Sequence, residues 1–136
     1  MTGIRIIAAI VSAVFLLSAC KSVKTASEEL MMNIPIERGP SEQKLVSGIK
    51  NYESGDYTAS QSELQAALNL GLSSWEQVVA HKYLAFISCV SGREKQCREE
   101  FKKALEIDPA FELKPAEEGH PIWGPVFRSV KGKTGK

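Results

Sequence analysis

Gly92–Pro109, GREKQCREEFKKALEIDP, is the stretch that decides the fold. Cys97, Phe101 and Ala104 recur at spacings of four and three, which puts their side chains on one face of an α-helix. Glu99 and Lys103 sit four apart on the other, solvated side, where unlike charges support a helix. Asp108-Pro109 ends it, because proline has no backbone donor and clashes with the preceding turn. The same design occurs upstream in Gly55–Gly71, GDYTASQSELQAALNLG. Gly55 answers to Gly92, Ser60 to Cys97, Leu64 to Phe101, Ala67 to Ala104 and Leu68 to Leu105, each pair 37 residues apart.

Each copy follows another amphipathic stretch. Leu45, Ile49 and Tyr52 recur at i, i+4 and i+7, with Gly48 where two helices come close. Ser41 is the expected N-cap, with Glu42 placed against the positive helix end. Further on, Val78, Tyr83, Phe86, Ile87 and Val90 form a broad apolar face, and Ala85 takes the place of Gly48. Ser73-Ser74-Trp75-Glu76 fits a capping box, in which hydroxyl and carboxylate each satisfy an orphan backbone donor. Gly71 suits the cap just past the end of the 57–70 helix. These signals predict an all-α fold in which helix 41–54 pairs with 57–70 and helix 74–91 with 94–107. The pairs run antiparallel, because each helix has one apolar stripe that must leave water.

The pattern, with YESGDY followed by a small residue, a large apolar one and alanine, resembles the tetratricopeptide (TPR) repeat in two copies. The longer 74–91 helix accounts for an offset of 37 against the usual 34 or so. Ser60 and Cys97 stand where alanine is usual, and Lys44 and His81 at the aromatic opening position. These departures bear on packing, not on the repeat itself.

The chain has 136 residues, room for one small domain. Formal charge is +1, so bulk charge implies neither nucleic acid nor an acidic surface. Two histidines and three cysteines fall in no cluster with metal-ligand spacing, and no metal or cofactor is expected. Nucleophile–base pairs, paired carboxylates and phosphate-binding glycine loops are all missing, so an enzyme is not the expectation.

The N-terminus reads as an address. Arg5 gives a short positive region, and Ile6–Ala19 is an apolar run of 14 residues, short of the roughly 20 needed to span hydrocarbon as a helix. Leu17-Ser18-Ala19-Cys20 resembles a bacterial lipobox. That resemblance implies a leader over 1–19, cleavage before Cys20, a diacylglycerol thioether on its sulfur and acylation of its new amino group. Several acyl chains on one residue anchor stably, each buried CH₂ contributing about 0.8 kcal/mol. An ordinary secretory leader followed by a chance cysteine is the alternative. Lys21, rather than the aspartate of inner-membrane retention, points to the outer membrane.

Residues 20–40 read as the lipidated N-terminus and a tether, whose length is on the order of 60 Å if extended. Leu30, Met31, Met32, Ile34 and Ile36 are apolar enough to dock on a surface, or merely to be sticky. The helical domain is expected over 41–131 and a basic, frayed tail over 132–136. After Asp108 the chain is rich in Pro and Gly, then carries Val126, Phe127 and Val130 on a short helix. Two repeats leave a bare outer face, which Phe111, Trp123, Val126 and Phe127 are expected to cover as a capping helix. The alternative makes Trp123 and Phe127 an exposed hot spot for a partner. His120 reads as a loop residue, because no carboxylate, cysteine or second histidine lies at a useful spacing.

Cys89 and Cys97 flank the turn of the second hairpin and could bridge it as a disulfide, which an oxidising compartment would favour. Two buried free cysteines are the alternative. Their spacing is not Cys-x-x-Cys, which argues against an oxidoreductase pair. A Cα separation beyond about 7 Å would exclude the bridge.

From His81 to Lys131 the chain resembles the C-terminal part of TPR lipoproteins associated with bacterial type VI secretion systems, the TssQ family. CVSGREKQCREEF, DPAFEL and above all GHPIWGPVF carry that resemblance, together with the lipobox. It implies an accessory outer-membrane lipoprotein on the periplasmic face whose repeats contact another envelope or secretion-system protein. An outer-membrane or cell-wall assembly lipoprotein unrelated to secretion is the alternative. TPR arrays bind partner segments on the concave surface formed by their first helices. Here that surface would present Leu45, Ile49, Tyr52, Val79, Lys82 and Phe86, with half of them expected to be core. Neither nucleic acid nor a small-molecule substrate is expected.

Overall fold

The computed structural model describes residues 38–134. The expected leader 1–19, Cys20 and the expected tether through Glu37 lie outside the described residues, as do Gly135 and Lys136. The described part is all helical: α1 Pro40–Glu53, α2 Tyr57–Leu70, α3 Ser74–Val90, α4 Glu94–Ile107, α5 Pro115–Glu118 and α6 Trp123–Thr134. Helices α1 and α2 pack as one antiparallel hairpin and α3 and α4 as a second, in a TPR-like arrangement, and α6 lies on α4 and α3. None of these helices is long and apolar enough to cross a membrane.

Local chemistry sets the ends, with some corrections to the sequence reading. Helix α1 starts at Pro40 with Gly39 as cap, so Ser41 lies inside the first turn and caps nothing. Proline suits that position because its missing donor would have been unpaired there anyway. Asp56 caps α2, its carboxylate accepting from the Ala59 amide at 2.9 Å. At α3, Glu76 accepts from the Ser73 amide at 2.9 Å and also from its hydroxyl at 2.6 Å. The capping box expected from Ser73 and Glu76 is formed, and the Ser73 hydroxyl also donates to the carboxylate. These two hydrogen bonds hold Glu76 below the usual carboxylate range. Helices α1 and α3 each stop one residue before the expected end, and α6 runs to Thr134, past the expected boundary at 131.

The α1–α2 crossing explains two unusual residues. A Cβ on Gly48 would lie 2.7 Å from Leu64 Cγ, so only glycine lets the helices meet. Ser60, in the usual alanine place, donates its hydroxyl to the Gly48 carbonyl at 2.7 Å and is fully buried. Satisfying that hydroxyl removes the cost of burying it.

Helix α3 is buried on nearly every side, because it touches both hairpins and the C-terminal helix. An aromatic series runs from it through the second hairpin: Phe86 to Phe101 at 6.0 Å, Phe101 to Phe127 at 5.2 Å, and Trp123 stacked on Phe86 at 4.4 Å. Trp123 and Phe127 are buried, so they close the open end of the repeats and are not an exposed hot spot. A Cβ on Gly124 would collide with the Glu118 carbonyl, which gives GHPIWGPVF a steric reason for its second glycine. His120 stacks on Trp123, and its Nδ1 accepts from the Ile122 amide at 3.3 Å.

Cys89 and Cys97 are joined by a disulfide with a Cα separation of 5.1 Å, across the α3–α4 turn. The expected Glu99–Lys103 pair is not the one formed. Lys103 reaches Glu100 instead, at 2.8 Å. Glu100 is buried between α3 and α4 and also meets His81 Nδ1 at 2.7 Å. His81 in the aromatic position was the one sequence hint of this polar contact; Glu100 itself gave none.

Candidate interaction groove

The six residues expected on the concave surface do not share one fate. Ile49, Tyr52 and Val79 are half-buried along it. Leu45 belongs to the core of the first hairpin, Phe86 is 2% exposed and Lys82 is 7% exposed, so none of these three is open to a partner. The cause is the chain's own C-terminal segment. Lys82 Nζ lies 2.6 Å from Glu117 Oε1 on α5 and sits over the rings of Tyr83 and Phe86, at 4.7 and 5.6 Å. The Trp123 indole N–H donates to the Glu117 carbonyl at 2.8 Å, tying α5 to the start of α6. The face that would meet a partner on Phe86 and Lys82 meets this segment instead.

What stays open is a groove of about 380 Å³ between α1, α3, the 108–114 loop and α5. Its apolar lining comes from Ile49, Trp75, Val79, Tyr83 and Phe111, and the Lys82–Glu117 pair forms part of its wall. Asp108, Glu112 and Lys114 add charge to the rim. Trp75 is 73% exposed, the most exposed large apolar side chain of the described residues. In the sequence Trp75 reads only as part of a capping box. The available signal was its spacing of three, four and seven before Val78, Val79 and Lys82, which puts it on the same face of α3 in the exposed first turn. The loop is held from behind by Lys131, which donates to the Phe111 carbonyl at 2.9 Å and pairs with Glu112.

The polar chemistry of the groove is that of recognition. Tyr52 does not line the groove but packs on Tyr83, which does, with ring centroids 5.0 Å apart; it is pushed up to about 12, first by burial and then by the neighbouring Tyr57, Tyr83 and Glu117. Burial, with Glu117 and Glu53 nearby, also raises Tyr83. Both phenols are thus neutral hydrogen-bonding groups at ordinary pH. Among the described residues no group of three or more His, Cys, Asp or Glu side chains is placed to hold a metal ion. An apolar trough with an exposed tryptophan at its edge and a few fixed polar groups suits a side chain or short segment of another macromolecule.

Comparisons with protein-family models, with curated proteins and with solved structures find no match.

Proposed function

We propose that this chain is a lipid-anchored, TPR-like scaffold of the bacterial cell envelope that holds another envelope or secretion-system protein. In this reading Cys20 carries the lipid, the outer membrane's periplasmic face is the location, and a type VI secretion system is the apparatus served. The observation that carries it is the open groove with Trp75 at its edge, left uncovered on the concave side of paired helical hairpins. The lipobox at Leu17–Cys20 and the resemblance through GHPIWGPVF supply the address and the apparatus.

The test uses the full chain expressed in a bacterium carrying such a system. Cross-linking pull-down from envelope fractions is compared between the native protein and Trp75→Ala. Loss of one specific partner with Trp75→Ala, at unchanged helical content, supports the groove; undiminished capture sinks it. Metabolic labelling with an alkyne fatty acid should mark the native protein and not Cys20→Ser. Phe86→Ala is unsuitable for this purpose, because a core aromatic truncated to alanine costs about 3–5 kcal/mol and compromises the fold.

A further inference from the structure

The two cysteines of the Cys89–Cys97 bridge belong to one buried core with Phe101, Trp123 and Phe127, but they differ in exposure. Cys97 is 0% exposed. Cys89 is 7% exposed and forms part of the wall of a shallow depression of about 170 Å³, with Gly92, Glu94, Ile122 and Val126. Helix polarity adds a second asymmetry. Cys97 is the fourth residue of α4, near its positive end, where a thiolate is favoured. Cys89 is the penultimate residue of α3, near its negative end, where a thiolate is disfavoured. In thiol–disulfide exchange the accessible sulfur is attacked and the better-stabilised thiolate leaves faster. Burial raises the cost of a Cys97 thiolate, but the same burial closes the approach to its sulfur.

From this geometry we infer that the bridge is a thiol-exchange site of fixed regiochemistry, in which an external thiolate attacks Cys89 Sγ and Cys97 departs. As the new sulfur–sulfur bond forms at Cys89, the electron pair of the old one goes to Cys97 Sγ, which then takes a proton from water. The matching reductant is a dithiol protein of the thiol–disulfide oxidoreductase class. Its second thiolate attacks its own sulfur in the mixed disulfide and expels Cys89, leaving the partner oxidised and both cysteines reduced. The eight-residue spacing makes this chain the substrate of such a partner and not the oxidoreductase. Ile122, 48% exposed beside Cys89, offers an apolar contact to the incoming protein. The Glu94 carboxylate on the rim is paired with Arg98 at 2.7 Å, which reduces its repulsion of a thiolate.

The experiment treats the oxidised, full-length protein under native conditions with reduced glutathione, and in parallel with a thioredoxin whose resolving cysteine is replaced by serine. Reactions are quenched in acid at short times, free thiols are alkylated, and adducts are mapped by peptide mass spectrometry. The expected result is adduct on Cys89 in at least ten-fold excess over Cys97 with both reagents. Equal labelling, or an excess on Cys97, overturns the inference. So does a bridge that forms no adduct until denaturant is added, because exchange would then require unfolding.

Discussion

Lys82 Nζ and Glu117 Oε1 meet at 2.6 Å, so a position that TPR arrays offer to partners is occupied here by the chain's own α5. Both side chains are largely withdrawn from water, and the ammonium also lies over two aromatic rings. Removing one partner should leave the other charge stranded. Glu117→Gln is expected to cost about 2–3 kcal/mol in chemical denaturation, and Lys82→Met combined with Glu117→Gln to recover most of it. A single variant as stable as the native protein would mean that the pair is effectively hydrated.

Gly48 and Leu64 test the helix crossing. Gly48→Ala forces a Cβ into a buried leucine side chain and should destabilise by about 1–3 kcal/mol. Gly48→Ala combined with Leu64→Ala should recover less than the whole loss, because it exchanges a clash for a cavity. Thermal unfolding followed by circular dichroism reads both.

The disulfide closes a short loop, for which chain entropy gives about 2.5 kcal/mol of stabilisation. Replacing both cysteines by serine, or full reduction, should lower Tm by about 10 °C or more for a domain of this size. Calorimetry with and without a strong reductant checks this, and an unchanged Tm would show that the bridge contributes nothing.

Glu100 makes stability depend on acid. Burial raises its pKa, but hydrogen bonds from His81 and Lys103 and their charges outweigh burial, and the net effect is a lowered value. A carboxylate with a folded pKa below its unfolded one stabilises the protein above the unfolded value and loses that contribution as pH falls through the folded one. Unfolding free energy should therefore drop below a pH of about 4.5, near the ordinary value for glutamate. Glu100→Gln should flatten that acid limb and cost about 2 kcal/mol at neutral pH, where hydrogen bonds to a charged group are lost. A limb of the same depth in Glu100→Gln would assign the acid sensitivity to other carboxylates.

Much of the fold is legible along the chain. Two copies of one pattern, offset by 37 residues, place four helices to within a residue at each end, because apolar spacing, turn glycines and Asp108-Pro109 act locally. The lid was legible too: Trp123 and Phe127 sit where a bare outer face needed covering. The site was less so. Leu45 shares a face of α1 with Ile49, and Lys82 and Phe86 share a face of α3 with Val79, and periodicity cannot say which of these will be covered. Glu100 looks like any surface glutamate until His81, 19 residues away, is brought to its carboxylate.

By itself the sequence determined the helices, their pairing and the crossing at Gly48, since these follow from interactions within a few turns and from an apolar stripe that must leave water. Tertiary structure alone decided which concave-face residues stay open, because that depends on α5 and α6 returning over α3. The same return set Lys82 against Glu117 and left Trp75 beside an open groove, contacts between residues far apart in the chain that no local pattern encodes.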